Sequence, residues 1–352
     1  MVSESPAGHR SVAGLAQRYP KVFVTGAAGF IGSHVVRRLA EEGCEVVALV
    51  LGNDPGRSLL GWPQELSQRV TRVDGDLTDP HRLAEQMQGA SLVIHLAAIY
   101  AIWLERPALM WEVNVEGTRH VMRAAKAAGV RRVVHTSSIA AIGSRPGMEL
   151  ADEEVGFNDW AIADDYVLSK YVSELEALAF NGAELEVVSV NPAFPFGAND
   201  TGPTPTGKMV ADSLAGRMPF VVEGGFNAVD VRDVAEGHLL GAMFGKPGRR
   251  YILGGHNVEY REFSAKVAAM AGTKPPRVVV PTPVIRGAGQ VLGFVADHLT
   301  RKKPMMTGRS VAYLSGRWLW FSIERARTEL GYAPRPLEEA IANSVAWFRG
   351  TS

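Results

Sequence analysis

Two features are scarce in this 352-residue sequence, and a third is missing. Cys44 is its single cysteine, which excludes an intramolecular disulfide and a cysteine-rich zinc site. The 37 Lys and Arg residues balance 37 Asp and Glu residues, and basic residues form only short runs such as Arg131-Arg132, so no nucleic acid partner is expected. No uninterrupted apolar stretch reaches the roughly 20 residues of a stable membrane span.

Two segments bear on where the protein resides. Residues 1–20 have no continuous apolar core, so they fail as a secretory signal and are predicted to be a disordered leader. With the single cysteine, this favours a reducing, cytoplasmic location. The segment Val278–Val295 is apolar but broken by Arg286 and several glycines. We interpret it as a packed loop and helix over a substrate cavity, with contact to a membrane surface as the alternative.

Short β-branched runs alternate with longer amphipathic segments over residues 21–191. This pattern predicts an α/β fold of the Rossmann type, a doubly wound parallel sheet with right-handed crossovers. Strands are expected at Lys21–Thr25, Glu45–Val50, Val70–Asp74, Leu92–His95, Arg132–Ser137 and Glu186–Asn191, and helices at Ile31–Glu42, Pro80–Met87, Leu109–Ala128 and Tyr166–Phe180. Prolines and glycines then break the alternation, which predicts a smaller, substrate-binding lobe over residues 192–352 that could return elements to the sheet.

The first predicted strand runs directly into a glycine-spaced turn that opens the first predicted helix. Glycine permits the tight turn and lets the backbone approach a pyrophosphate, while the helix N-terminus supplies N–H donors. A turn of this kind between a strand and a helix predicts a dinucleotide site. The residues expected to form it are Gly26, Ala28, Gly29, Phe30, Ile31 and Gly32.

The choice between the two nicotinamide dinucleotides depends on the end of the second strand. A carboxylate there would accept both ribose hydroxyls and favour NAD(H). The sequence instead continues with Leu51, which is neither that acid nor an arginine for a 2′-phosphate. Arg57, and Arg37 on the first helix, are within reach of such a phosphate, so NADP(H) is slightly favoured and NAD(H) stays open.

Two further strand ends are expected to contact the cofactor. Asp76, followed by Leu77, is placed to accept the adenine amino group, although an Asp after a strand is also an ordinary turn residue. The fourth strand is followed by Leu96, Ala97 and Ala98, and the small alanine side chains would let the dinucleotide lie against the backbone.

A proton-transfer set follows from the spacing of a phenol and an ammonium group. Tyr166 and Lys170 lie four residues apart at the start of a predicted helix and so share one face. The ammonium, joined by a nicotinamide cation, should lower the phenol pKa from about 10, so that Tyr166 can exchange a proton with a substrate oxygen. Ser138, just beyond the fifth strand, is expected to bond and polarise that oxygen.

The chain resembles the extended short-chain dehydrogenase/reductase superfamily, in its NAD-dependent epimerase/dehydratase group. The resemblance runs from about residue 21 to the end and is closest to the dihydroflavonol-4-reductase-like branch, including proteins labelled hopanoid-associated sugar epimerases. It implies a catalytic role for Asn114, positioning of nicotinamide and substrate by residues around Asn191, Pro192 and Phe194, and homodimers formed through the tyrosine-bearing helix. The motifs that carry it are Val24-Thr25-Gly26, Gly29, Gly32, Asp76-Leu77, Leu96-Ala97-Ala98, Asn114-Val115-Glu116-Gly117-Thr118, Thr136-Ser137-Ser138, Tyr166 with Lys170, Asn191-Pro192 and Pro203-Thr204-Pro205-Thr206-Gly207-Lys208.

Two departures from the group's pattern narrow the expected reaction. Its nucleotide-sugar enzymes use an arginine for the substrate diphosphate where Phe226 stands here, and its dehydratases carry an Asp-Glu pair where Ile139-Ala140 stand. The candidate pocket walls are also aromatic: Tyr100, Trp103, Trp111, Trp160, Phe194, Phe196 and Phe226. The sequence therefore favours an NAD(P)H-dependent reductase of a hydrophobic ketone or aldehyde. A sugar epimerase with tightly bound cofactor is the alternative, followed by a non-catalytic dinucleotide sensor.

Overall fold

The computed structural model describes residues 10–101, 103–300 and 307–350. Its strands are β1 (Lys21–Thr25), β2 (Glu45–Val50), β3 (Val70–Asp74), β4 (Leu92–His95), β5 (Arg132–Thr136), β6 (Glu186–Pro192), β7 (Phe194–Phe196), β8 (Phe220–Val222), β9 (Gly224–Asp230), β10 (Arg250–Leu253), β11 (His256–Glu259), β12 (Val278–Val280) and β13 (Arg317–Leu319). Its helices are α1 (Leu15–Arg18), α2 (Phe30–Glu41), α3 (Gln64–Ser67), α4 (Pro80–Gln86), α5 (Ala108–Trp111), α6 (Gly117–Ala127), α7 (Asp165–Ala179), α8 (Pro205–Leu214), α9 (Val231–Phe244), α10 (Tyr260–Ala271), α11 (Thr282–Val295), α12 (Gly308–Leu314) and α13 (Leu337–Arg349).

A seven-stranded sheet in the order β10-β6-β5-β4-β1-β2-β3 forms the main layer, and all of its strand pairs are parallel. The central strands read as apolar runs because helices cover both faces of the sheet. The chain reverses its winding between β1 and β4, so a crevice opens at the carboxyl ends of these two strands. The Rossmann-type fold predicted from the sequence is confirmed.

Alternating side chains of β1 enter the two cores on either side of this sheet. Val22 and Val24 belong to the cluster that contains Leu39 of α2 and Leu239 of α9, whereas Phe23 belongs to the cluster built by α4, α6 and α7. This period of two is the signature of a strand buried on both faces. The packing fixes the carboxyl end of β1, and with it the turn that follows.

The C-terminal lobe is built around β9. Strands β11 and β13 flank β9, β7 also pairs with it, and β8 pairs with β12. Helices α8, α10 and α13 cover these strands with a third apolar cluster, which includes Phe226, Phe263 and Ile341. The chain beyond residue 192 also sends α9 and β10 back to the main sheet, where β10 pairs with β6. The lobe therefore lies across the carboxyl edge of the sheet.

The prediction of a disordered leader is wrong for residues 10–20. Val12, Leu15 and Tyr19 are buried, α1 forms between them, and the Tyr19 hydroxyl donates to the Ala242 carbonyl at 3.2 Å. These three apolar residues recur at helical spacing and are buried in the core beside α9. Their burial stabilises the segment although its sequence has no continuous apolar run. Residues 1–9 of the predicted leader lie outside the described residues.

The predicted helix Leu109–Ala128 is divided into three parts. A π-helical segment, Glu112–Glu116, separates α5 from α6 and carries Asn114. Single-turn π segments within α-helices occur frequently at functional sites. Across the described residues, no helix combines the length and the hydropathy that crossing a bilayer would require.

Candidate functional site

A cavity of about 470 Å³ lies at the carboxyl edge of the sheet, between the sheet and the C-terminal lobe. Its described lining has two charged residues, Asp164 and Lys170, and no arginine. The rest of the wall is backbone, hydroxyl and apolar groups. The predicted site residues that line the cavity are Gly26, Gly29, Phe30, Ile31, Gly32, Leu96, Ala98, Ser138, Tyr166, Lys170, Pro192 and Phe194.

The glycine turn after β1 allows close approach of the backbone on one side of the cavity. Gly26 has φ of +66°, and a Cβ there would lie 2.7 Å from the Ala97 nitrogen. A Cβ on Gly32 would overlap the carbonyl oxygen of Gly26. Gly29 caps the 12-residue helix α2, whose first N–H groups have no partner within the helix. These residues fit a dinucleotide pyrophosphate, because the turn supplies backbone donors and leaves no side chain in the way.

The loop after β2 is tied to the glycine turn. The Ser58 hydroxyl donates to the Ala28 carbonyl at 2.6 Å, which places the exposed Arg57 beside the turn. Leu51 is 54% exposed just beyond β2. Arg37 pairs with Glu41 at 2.9 Å on the outer face of α2. Arg57 is therefore the better placed of the two candidate arginines.

Asp76 and Leu77 differ in their exposure after β3. Asp76 is exposed, and its carboxylate accepts from the Thr78 N–H at 2.9 Å, as in the turn that the sequence left open as an alternative. The Leu77 side chain is 5% exposed and packs in the core against Gly117. Neither residue lines the cavity in the described structure.

The segment after β4 is held against the glycine turn by a hydroxyl. The Thr25 hydroxyl lies 2.7 Å from Nδ1 of His95 and accepts from the Ala97 N–H at 3.2 Å. Burial, and then the charge of Lys170, lower the pKa of His95 to about 3, so this imidazole is neutral. Leu96 and Ala98 line the cavity, while Ala97 supports Gly26 from behind.

The first two turns of α7 bring the predicted proton-transfer residues into the cavity. Asp164 caps the helix by accepting from the Val167 N–H at 2.9 Å. Tyr166 and Lys170 then line the same wall as Ser138, which lies just beyond β5. The Lys170 ammonium group donates to the Thr136 carbonyl at 2.7 Å. The structure thus assembles a hydroxyl, a phenol and an amine on one wall.

Burial controls the ionisation of both α7 groups. It raises the pKa of Tyr166 to about 12, with the Ser138 hydroxyl acting in the opposite direction and Asp164 adding to the rise. It also lowers the pKa of Lys170 to about 8, against the attraction of Glu174. The lowered Tyr166 pKa expected from the Tyr-Lys spacing is therefore not found in the protein itself. The apolar wall disfavours the phenolate, and the Lys170 amine is directed to Thr136.

The two predicted asparagines lie behind the cavity wall. The Asn114 side chain accepts from the Ile99 N–H at 2.7 Å and donates to the Ser169 hydroxyl at 2.9 Å. It therefore joins the segment after β4 to α7. The Asn191 amide donates to the Ser138 carbonyl at 2.9 Å and so fixes the position of that residue.

A buried ion pair that the sequence analysis missed supports α7 one turn beyond Lys170. The Glu174 carboxylate accepts from Asn191 at 2.5 Å, from Ser189 at 3.0 Å and from Arg250 of β10 at 3.1 Å. Glu174 is 2% exposed. The signal for it was an acid four residues after Lys170, on the same face of the helix.

The cavity has more tyrosines than the sequence analysis expected. The Tyr100 ring contacts that of Tyr166, with 4.6 Å between centroids, and Phe226 stacks edge-on against Phe194. Tyr260 and Tyr313, from distant parts of the chain, complete the wall. Among the described atoms, the buried hydroxyl of Tyr260 has no hydrogen-bond partner. Four other predicted wall residues are outside the described lining: Trp103, Trp111, Trp160, which is 61% exposed, and Phe196, which is in the lobe core.

Comparisons with known proteins match almost the whole chain. The model of the "NAD dependent epimerase/dehydratase family" matches residues 22–254. A Synechocystis protein named as a dihydroflavonol 4-reductase is 36% identical over 332 residues, which cover 93% of this chain and 94% of the relative. Sterol demethylase protein B of Methylococcus capsulatus is 32% identical over 331 residues, which cover 93% and 97% respectively. The crystal structure of gox2253 aligns with a TM-score of 0.82 at 38% identity and covers 94% of this chain and 98% of the other.

Proposed function

Because this chain belongs to the NAD-dependent epimerase/dehydratase family of extended short-chain dehydrogenase/reductase enzymes, we propose that it reduces a hydrophobic ketone or aldehyde with NAD(P)H. The observation that carries the proposal is the cavity lining, which has no arginine and only two charged side chains among the described residues. Apolar walls with a few convergent polar groups are typical of small-molecule sites, and the scarcity of charged side chains here suits an uncharged, apolar ligand. A sugar diphosphate would find no cationic fork here.

Tyr166 is the proton donor in the proposed reaction. Tyr166 would donate its proton to the carbonyl oxygen of the substrate, while NAD(P)H held against the glycine turn would supply the hydride for the carbonyl carbon, so that the products are the alcohol, NAD(P)⁺ and the phenolate. A pKa of about 12 keeps this phenol protonated at neutral pH, as a reduction requires. Ser138 orients the oxygen by hydrogen bonding, and Lys170 fixes the phenol and the cofactor ribose.

The surroundings of Phe226 favour a reductase over a nucleotide-sugar epimerase. Its ring is completely buried, and its centroid lies about 5 Å from the ring centroids of Phe194, Tyr260 and Phe263. This cluster fills the place where the group's nucleotide-sugar enzymes are expected to have a diphosphate-binding arginine. The names of the two relatives contain the words dihydroflavonol and sterol. Both words denote fused-ring compounds, which would pack well against an aromatic wall. The unpartnered Tyr260 hydroxyl offers a hydrogen bond to a second polar atom of the substrate.

For the cofactor, we propose a preference for NADPH that depends on Arg57. This guanidinium is exposed beside the glycine turn, and the Ser58–Ala28 hydrogen bond holds its loop there. The residue directly after β2 is Leu51, so this position has no carboxylate that would repel a 2′-phosphate. The preference therefore rests on one cation and on the absence of the usual acid from that position in the sequence.

The test is to incubate the purified protein with NADPH or NADH and a panel of carbonyl compounds that includes flavonoid, steroid and nucleotide-sugar ketones. We expect stoichiometric loss of reduced-nicotinamide absorbance, with an alcohol product detected by mass spectrometry for apolar members of the panel. Interconversion of nucleotide-sugar isomers by cofactor that stays bound, with no net absorbance change, would instead support the epimerase.

A further inference from the structure

One short segment carries a large share of the exposed apolar side chains. Seven of the fourteen large hydrophobic residues that are exposed in the described structure fall within residues 278–299. We call the exposed face that they form the α11 surface: Val278, Val279, Val284, Val291, Leu292, Phe294 and Leu299. Single exposed hydrophobic residues are common, but a group of this density marks an interaction site.

Helix α11 directs most of its large apolar residues outward, with Ile285 as the buried exception, and faces the protein mainly with Gly289 and Gly293. Val284 and Val291, which lie at i and i+7, are 63% and 64% exposed, and Phe294 is 59% exposed. Gly289 faces α12 instead, where an added Cβ would lie 3.0 Å from the Thr307 carbonyl and from Val311. A helix surrounded by water has the opposite arrangement. Small residues toward protein and large apolar residues outward are typical of helices in contact with lipid.

The sequence around this surface is strongly cationic although the whole chain is neutral. From Phe263 to Ile323 it contains nine Lys or Arg residues and one Asp. Lys266 and Arg317 form ion pairs with acids on other elements. Arg277, Arg286 and Arg309 are exposed. Arg277 directly precedes β12, Arg286 lies on α11 and donates to the Ser315 carbonyl at 3.4 Å, and Arg309 lies on α12. Such a patch complements an anionic surface.

We propose that the α11 surface docks the protein onto an anionic phospholipid bilayer. Helix α11 and the π-helical segment Ala296–Thr300 that continues it span about 28 Å, and no described helix has the length and hydropathy to cross the roughly 30 Å of hydrocarbon. In the proposed docking α11 lies in the interface. A second copy of the chain fits less well, because a symmetric pairing would bring the same cationic patch of each copy together.

Docking at this surface would place the cavity next to the bilayer. Helix α12, which packs on α11, lines the cavity with Ser310, Tyr313 and Leu314 on its other side. If the proposed reduction of a hydrophobic carbonyl is correct, its substrate could enter from the lipid phase without crossing water. This consequence rests on the proposed function, whereas the docking itself does not.

Flotation of the full chain with vesicles tests the docking. The vesicles are phosphatidylcholine alone, or phosphatidylcholine with phosphatidylglycerol. We expect binding to the anionic vesicles that weakens as salt is raised, and a loss of roughly tenfold or more in the combined Val284→Ser, Val291→Ser and Phe294→Ser variant. The matched control is Leu60→Ser, Met148→Ser and Leu175→Ser, which removes three exposed hydrophobic residues elsewhere and should bind as wild type does. Circular dichroism and a thermal melt verify that both variants are folded.

Three results would overturn the docking proposal. The first is wild-type protein that stays with neither kind of vesicle. The second is equal binding by the α11-surface variant and wild type. The third is self-association in sedimentation velocity that this variant abolishes, without vesicle binding, which would identify a second copy as the occupant. Vesicle binding needs no turnover, so an inactive protein that floats contradicts only the proposed reaction, and an active one that does not float contradicts only the docking.

Discussion

Replacing Glu174 by Gln should lower the free energy of unfolding. It should also lower the pKa of Lys170, which lies on the same helix, α7. The Glu174 carboxylate is 2% exposed and accepts hydrogen bonds from Ser189, Asn191 and Arg250. The amide of Gln keeps the shape but removes the charge and turns one acceptor into a donor. Arg250, whose side chain is 20% exposed, then loses the carboxylate that it pairs with in the described structure. The same change removes the attraction that opposes the lowered pKa of Lys170.

The size of the stability loss follows from what Arg250 retains. Breaking a buried ion pair on one side costs about 3–5 kcal/mol. Arg250 also donates to the Glu153 carbonyl at 2.7 Å, which keeps part of its hydrogen bonding. We therefore expect the lower end, about 3 kcal/mol, or roughly 4 °C in Tm for a chain of this length.

Glu176→Gln is the matched control on the same helix. Glu176 pairs with Arg119 at 2.6 Å, but both side chains are near the surface, at 28% and 31% exposure. Such a pair contributes about 0–1 kcal/mol. Calorimetry at one scan rate should therefore separate the two variants. The pH profile of reduction should also move its upper limb to lower pH in Glu174→Gln alone. Equal Tm losses in both variants with unmoved profiles would refute the reasoning.

The remaining predictions concern the cavity. Tyr166→Phe should lower kcat by about 10²–10⁴ in a steady-state assay. Tyr100→Phe removes the hydroxyl of the neighbouring ring, and its kcat should stay within a few-fold of the wild-type value in the same assay. Gly32→Ala should abolish dinucleotide binding in a titration of protein fluorescence, because the added Cβ overlaps the Gly26 carbonyl; wild-type affinity would contradict this. Arg57→Ala should weaken NADPH by about tenfold and leave NADH unchanged, and equal losses for both cofactors would remove its phosphate role. Since burial lowers the pKa of Lys170 to about 8 from an unfolded value near 10.5, its charge is lost as pH rises through 8. Activity should then fall, while the unfolding free energy rises between about pH 8 and 10.5; a flat activity profile over this range would contradict it.

Most strands of the main sheet could be predicted from sequence because buried parallel strands are continuous apolar runs. The edge strand β3 is largely exposed and was predicted from its short β-branched run instead. The predicted bounds of β1 to β4 agree with the structure residue by residue, and those of β5 and β6 differ by one residue. The glycine turn was also predictable, because Gly26 and Gly32 have no room for a side chain and the sequence therefore has glycine at these two positions. These features depend on residues close together in the chain.

The site features that sequence analysis missed depend on contacts between distant segments. Tyr260 and Tyr313 reach the cavity from elements whose order in the chain does not reveal their position. The pKa of Tyr166 moved opposite to the expected direction because burial, which spacing does not report, outweighed the hydrogen bond with Ser138, while the Lys170 amine is directed to the Thr136 carbonyl. Disorder was predicted for the segment 10–20 because its large apolar residues, Val12, Leu15 and Tyr19, do not form a continuous run, whereas their helical spacing is enough for burial against the core.

The return of β10 to the main sheet has a consequence for synthesis on the ribosome. Arg250, the first residue of that strand, is the cationic partner of Glu174 on the catalytic helix. A nascent chain that ends before residue 250 contains β1 to β6 of the main sheet. It leaves the Glu174 carboxylate without its counterion and β6 with an open edge. Completion of the active-site scaffold therefore waits until more than two-thirds of the polypeptide has been made.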